Sequence, residues 1–257
     1  MTSDELAEAL MPVIHEAREA ILAIYTSGEF QTEEKADQSP VTAADRASHE
    51  ILVRGLRDVT PDIPVVSEEV VGARPKIESD RLFWLVDPLD GTKEFVRHSD
   101  EFTINLALVD SNGVPRFGIL DIPSEGRTFI AGDGRGWVWD GTRRAPLSPL
   151  NPRNREAGLV VALSRSHRGQ AEDWLSEQGI RVREMVYAGS AIKFAWIAEG
   201  RVDLYLRLRP TMGWDTAAGQ ALLEQLGGTV QTLRGQPLRY QPGAFVNPDF
   251  VAARPLN

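Results

Sequence analysis

At 257 residues the chain is long enough to bury a full core, as one large domain or as two fused lobes, and a composition of 42% apolar and 25% charged residues argues against disorder. Its lack of cysteine excludes disulfides, thiol chemistry and thiolate metal sites. A net charge of −9 opposes nucleic-acid polymers and anionic lipid, and makes bound cations close to obligatory if the ligand is a phosphate.

The start, Met-Thr-Ser-Asp-Glu-Leu, lacks the basic and apolar regions of a signal peptide. No apolar run reaches the roughly 18 residues of a spanning helix, so a cytoplasmic protein without a transmembrane segment is expected. Leu6, Leu10, Val13, Ile14, Ala17, Ile21 and Ile24 recur at helical spacing up to Gly28, which predicts an amphipathic helix covering a sheet. The polar stretch 29–39, followed by Pro40, reads as a loop or a short exposed hairpin. A second helix opens at Val41-Thr42-Ala43-Ala44-Asp45 and buries Ala44, Ala47, Ile51 and Leu56. Thr42 and Asp45 have capping-box spacing, so on spacing alone Asp45 is a cap. Its other reading is a carboxylate that orients a hydroxyl or a water.

Val65-Val66 forms a short strand ending at Ser67-Glu68-Glu69. Residues 83–86 read as a buried strand that delivers Asp87, Pro88, Leu89, Asp90, Gly91 and Thr92 to its end. Two carboxylates suit a hard divalent cation there, and the turn's N–H groups suit a phosphate. A meander follows over 102–109, 116–121, 127–131 and 137–139, with a hairpin turn at Asn112-Gly113. Residues 146–156, rich in Pro, Asn and Arg, mark a crossing between an α+β lobe (1–150) and an α/β lobe (151–257). The second lobe alternates a strand at 159–163, a helix near 169–178, a strand at 182–186, a helix at 190–199 and a strand at 202–206. Trp214-Asp215 then opens a helix with Ala217, Ala218, Ala221, Leu222 and Leu226 buried, stopped by Gly227-Gly228, and one last strand is expected near 250–252.

Glu68, Asp87, Asp90 and Asp215 each stand where a strand ends or a helix begins. Clustered carboxylates repel one another and call for two or more cations such as Mg²⁺. Glu68-Glu69, the run Asp87-Pro88-Leu89-Asp90-Gly91-Thr92 and Trp214-Asp215 before a small-residue helix resemble, in order, the motifs of the inositol monophosphatase-like superfamily of Mg²⁺-dependent, lithium-sensitive phosphatases. Lys93-Glu94-Phe95, the stretch 35–45, Ser164-Arg165-Ser166-His167, Gly189-Ser190-Ala191-Ile192-Lys193-Phe194 and Asn247-Pro248-Asp249-Phe250 narrow the resemblance to CysQ-type 3′(2′),5′-bisphosphate nucleotidases. The segment Tyr205-Leu206-Arg207-Leu208-Arg209-Pro210-Thr211 and Ala191 depart from that pattern.

The resemblance implies an α+β fold, the layered α-β-α-β-α sandwich of the inositol monophosphatase and fructose-1,6-bisphosphatase type. It implies hydrolysis of adenosine 3′,5′-bisphosphate to AMP and phosphate, in sulfate assimilation and nucleotide recycling. It implies two or three Mg²⁺ ions and inhibition by Li⁺. One Mg²⁺ falls to Glu68, Asp87 and the Leu89 carbonyl, and a second to Asp87, Asp90 and Asp215. Asp45 and Thr92, with Glu68, become the groups that polarise the attacking water, and Gly91 and Thr92 offer N–H groups to the phosphate. Ser164, His167, Gly189, Ser190, Lys193 and Arg207 would meet the rest of the substrate, Lys193 reaching its second phosphate with Ser190 as partner on one helix. The rival readings are an inositol or fructose phosphatase, or a non-catalytic metal or nucleotide sensor. The resemblance also allows a monomer or a homodimer, and peripheral association with the inner membrane.

Overall fold

The structure, a computed structural model, describes residues 1–34, 40–70, 77, 81–165 and 169–257. Helix α1 (Ser3–Ser27) starts at a capping box: Thr2 Oγ1 accepts the Glu5 N–H at 3.2 Å, and Glu5 returns a carboxylate oxygen to the Thr2 N–H at 2.8 Å. Strands β1 (Glu33–Glu34) and β2 (Pro40–Val41) pair antiparallel, which favours the hairpin over the loop among the two readings of this stretch, and α2 (Ala43–Val59) then packs along α1.

A seven-stranded sheet follows, in spatial order β3 (Val65–Ser67), β4 (Phe83–Asp90), β5 (Thr103–Val109), β6 (Pro115–Ile122), β7 (Arg127–Gly132), β8 (Arg135–Trp139) and β9 (Arg144–Pro146). The first pair is parallel and the rest are antiparallel; the short helix α3 (Thr92–Val96) leaves the end of β4. The second half of the chain runs β10 (Leu159–Leu163), α4 (Gly169–Glu177), β11 (Val182–Tyr187), α5 (Ile192–Ala198), β12 (Leu204–Arg207), β13 (Thr211–Met212), α6 (Gly213–Gln225), β14 (Thr229–Thr232), β15 (Val246–Asn247) and β16 (Phe250–Ala253). Its five-stranded sheet has the order β11-β10-β12-β16-β14, and β13 with β15 forms a separate ribbon.

Burial sorts these elements into layers. Trp84, Val86, Leu106 and Ile119 turn to one face of the large sheet and pack with Leu10 and Ile14 of α1 and Leu52 of α2. Their strand neighbours Phe83, Leu85, Ala107 and Leu120 turn to the other face, against Phe194 of α5 and Ala217, Ala218 and Leu222 of α6. The same cluster takes in Val160, Ala162 and Tyr205 from one face of the five-stranded sheet. Leu159, Val161 and Leu204 on its opposite face close over Ala171 and Leu175 of α4. Helix pair, sheet, helix pair, sheet and helix are the five layers the resemblance implies.

The differences from expectation are local. β4 continues past Val86 to Asp90 by slipping register between Asp87 and Asp90. The helix expected from residue 190 begins at Ile192, because Ser190 has φ +42°, which a helix interior does not admit. β9, β13, β14 and β15 are unforeseen; each is two to four residues long, too short for a periodic signal. Among the described residues no helix is long and apolar enough to cross a membrane.

Candidate active site

The site is built at the end of β4. The register slip lifts Pro88 and Leu89 out of the ladder, and three bonds hold the resulting turn. Asp87 Oδ1 accepts the Leu89 N–H at 3.0 Å, Ser48 Oγ of α2 donates to the Pro88 carbonyl at 2.8 Å, and Thr92 Oγ1 lies 3.2 Å from the Leu89 carbonyl. Gly91 then turns the chain into α3 with φ +93°. A Cβ there would stand 2.7 Å from the Glu101 carbonyl oxygen and 3.1 Å from Ser190 Cβ, so only glycine passes.

Two neighbours bring further carboxylates. β3 lies parallel to β4, and the Glu68 N–H reaches the Val86 carbonyl at 3.0 Å, which sets Glu68 beside Asp87. Helix α6 supplies Asp215, whose Oδ2 accepts the Met212 N–H at 2.8 Å across the helix start. One oxygen from each of Glu68, Asp87 and Asp215 falls within 4.8 Å of the others. Asp90 stands outside that triad; its carboxylate faces the Ala191 N–H, which favours its charge, and lies 3.4 Å from Asn105 Nδ2.

Burial pushes the Asp87 carboxyl well above the usual range, and the charges of Glu68, Asp90 and Asp215 push it further. Asp215 is raised in the same way, by burial and then by Asp90 and Glu68. Asp90 is pushed up to about 6, chiefly by burial, with Lys193 opposing the shift. Lys193 is itself held down to about 8 by burial, so loss of solvation outweighs the attraction between the two. A group of acids that resists ionising this strongly fits the hard, oxygen-seeking divalent cations.

Asp45 joins the site from the start of α2. Its Oδ2 accepts the Thr42 N–H at 2.7 Å and the Thr42 hydroxyl at 2.6 Å, which is the cap expected from spacing. Its Oδ1 accepts the Thr92 hydroxyl at 3.0 Å, the contact that the other reading requires. One carboxylate does both, so the two readings are not alternatives.

Beside the acids lies a hollow of about 230 Å³ whose walls include Asp90, Gly91, Lys93, Ser164, Gly189, Ser190, Lys193, Arg207 and Asp215. Arg207 donates through Nη1 to Ser164 Oγ and through Nε to the Arg209 carbonyl. Lys193 is placed otherwise than foreseen. It is buried, and Nζ donates to the carbonyls of Ala188 at 3.0 Å, Gly189 at 2.6 Å and Ser190, which takes up all three of its protons. Ser190 is not on its helix, and its Oγ instead accepts the Ile192 N–H. His167 lies outside the described residues.

Three further residues hold the site; the sequence alone assigns them no role, although Asn247 stands in one of its motifs. Asn105 pairs with Asp87 across the β4–β5 ladder. Asn247 of β15 sets Nδ2 within 2.8–3.0 Å of Thr211 Oγ1, the Met212 carbonyl and Thr216 Oγ1, its two protons shared among the three, which pins the start of α6 and hence Asp215. Glu101 accepts the Gly189 N–H. The first two face motif residues from other strands, a relation that spacing along the chain does not carry.

Fold and carboxylate cluster define a class, and comparison bears it out: residues 2–254 match the model of the inositol monophosphatase family, to which the chain belongs. It is 40% identical over 238 residues to an Escherichia coli protein named 3′(2′),5′-bisphosphate nucleotidase CysQ, covering 91% of this chain and 94% of that one. A protein of the same name from Salmonella typhimurium is 39% identical over 250 residues, covering 95% and 98%. The crystal structure of CysQ from Bacteroides thetaiotaomicron, described as a bacterial member of the family, matches with a TM-score of 0.79 and 32% identity over 97% of each chain.

Proposed function

We propose that the chain is a phosphomonoesterase that removes the 3′-phosphate of adenosine 3′,5′-bisphosphate, with Mg²⁺ as its metal. The observation that carries this reading is the convergence of Glu68, Asp87 and Asp215 within 4.8 Å beside a hollow lined by Lys93, Arg165 and Arg207. Likeness to the nucleotidases over nearly the whole chain supports the choice of nucleotide.

Glu68, Asp87 and the Leu89 carbonyl would hold one ion, and Asp87, Asp90 and Asp215 a second. When bound, such ions neutralise the clustered carboxylates and the charge on the transferring phosphoryl group. The chain's own groups then do two things. Thr92 has one hydroxyl proton, and the charged Asp45 is a stronger acceptor for it than the neutral Leu89 carbonyl. With its proton held on Asp45, Thr92 Oγ1 presents lone pairs that can accept a proton from the attacking water, while Thr42 holds the other oxygen of Asp45 in place. The turn at Gly91 and Thr92 orients the phosphate, so that water adds at phosphorus, its proton passing to Thr92 Oγ1 as the Thr92 proton passes to Asp45, while the ester oxygen leaves and takes its proton from solvent.

The test is phosphate release from adenosine 3′,5′-bisphosphate, myo-inositol 1-phosphate and fructose 1,6-bisphosphate, each with Mg²⁺ and with chelator. The expected result is Mg²⁺-dependent turnover with at least about tenfold higher kcat/KM for the nucleotide, ~1.4 kcal/mol in transition-state binding. A tenfold preference for the inositol ester would overturn the substrate. Undiminished turnover under chelation would overturn the metal.

A further inference from the structure

The hollow beside the acids is closed on one side by the turn 188–191, which follows β11 of the five-stranded sheet. Lys193 ties the carbonyls of that turn together from within, but it belongs to the same segment, and what it offers across the cleft is charge attraction to Asp90. The anchor comes from the other sheet. Glu101, just before β5, accepts the Gly189 N–H on Oε2 at 2.8 Å. The same carboxylate pairs with Arg165 beyond β10, with Nε 3.1 Å from Oε2 and Nη2 against Oε1. One acid from the large sheet therefore takes hold of two separate turns of the small one.

The turn it grips has two contacts with the site. Ser190 Cβ stands against Gly91, and the Ala191 N–H faces the Asp90 carboxylate closely enough to favour its charge. Ser190 also sits at φ +42°, a value non-glycine residues hold only when their surroundings impose it. An exposed Arg–Glu pair by itself contributes little, and the Arg165 side chain is half exposed. The Gly189 N–H is given to the same carboxylate in a charge-assisted bond made at the turn itself, so Gly189 is where the turn feels the grip.

We infer that Glu101 is a positioning residue for this site: its carboxylate latches the turn 188–191 against Gly91 and Asp90 and so fixes the wall on which the substrate outside the scissile phosphate rests. The role rests on the proposed reading of the hollow as the nucleotide's site. Arg165 has the lesser part, balancing the charge of Glu101 so that the wall does not repel an anionic ligand. The latch also spans the cleft between the two sheets, so it holds the mouth of the site at a fixed width.

The test compares Glu101→Ala, Glu101→Asp, Glu101→Gln and Arg165→Ala with the unaltered protein. In hydrogen exchange, amides of 187–192 are expected to exchange about tenfold faster in Glu101→Ala and in Glu101→Asp, whose carboxylate falls one methylene short, with those of α1 and α2 unchanged. Glu101→Gln keeps an oxygen for Gly189 and is expected to restore protection, and Arg165→Ala is expected to cost much less than Glu101→Ala. In turnover of adenosine 3′,5′-bisphosphate, Glu101→Ala is expected to raise KM about tenfold while kcat changes less than about threefold. Unaltered exchange at 187–192 in both Glu101→Ala and Glu101→Asp overturns the latch, as does a loss of kcat with KM unchanged. If the unaltered protein releases no phosphate from the nucleotide, the substrate assignment fails, and the exchange measurement still decides the latch.

Discussion

The two oxygens of Asp45 are committed to different partners. Oδ2 is taken by the backbone and hydroxyl of Thr42, while Oδ1 holds the hydroxyl proton of Thr92. An asparagine there can still accept the Thr42 N–H, so the helix start survives, whereas the charge that would receive a proton through Thr92 is gone. Asp45→Asn is expected to lower kcat by ~10²–10⁴, with KM little changed and stability within about 1 kcal/mol of the unaltered protein. Steady-state kinetics beside a urea melt check this; a large loss of stability with kcat preserved would leave Asp45 as a cap only. Its capping role was legible from the Thr42 to Asp45 spacing, but the second role entered only through resemblance, because Thr92 is distant in sequence. Lys193 was legible as a motif residue and not as a buried one. Its environment is set by carbonyls of a turn whose shape depends on Ser190 at positive φ, and nothing in the local sequence announces that.

Among the elements, α6 is placed by close approach. Its small residues bring the helix backbone down onto β6 at Gly118, where a Cβ would lie 2.7 Å from the Ala218 carbonyl oxygen and 2.8 Å from Ala221 Cβ. The obstacle is helix backbone, which cannot rotate aside as a flexible side chain would. Gly118→Ala is expected to destabilise the protein by about 1–3 kcal/mol through overpacking and, because α6 carries Asp215, to lower Mg²⁺-dependent turnover as well. Denaturant melts and phosphate release on the same preparation test both halves. Full activity with reduced stability would show that Asp215 is held by Asn247 and the β13–β15 ribbon rather than by the seat of the helix on the sheet. The burial of Ala217, Ala218 and Ala221 was readable from helical spacing. The surface they press on was not, since a glycine in the middle of a meander strand has several other uses.

Taken whole, the five layers decide which charges meet. Glu68 and Asp87 belong to the large sheet and Asp215 to the helix layer beneath it, so folding itself forces three acids within 4.8 Å. The order of strands and helices along the chain made those layers legible, and the motifs marked the acids; the latch between the sheets was not legible, because Glu101 and Arg165 have no spacing relation. Assembling the acids without cations opposes folding, since two of them are pushed far from their ordinary ionisation. A divalent ion that binds only the folded state adds about 2.7 kcal/mol at one hundred times its dissociation constant. For a chain of this size that is a rise in Tm of roughly 5–10 °C. Asp87→Asn removes one of the repelling charges and one of the ligands together. It is therefore expected to melt at or above the unaltered protein in chelator and to gain far less from added Mg²⁺, the two curves crossing as the ion is titrated in. If Asp87→Asn instead melts lower in chelator and gains as much from Mg²⁺ as the unaltered chain, the cation is held elsewhere and the acids at the end of β4 serve another purpose.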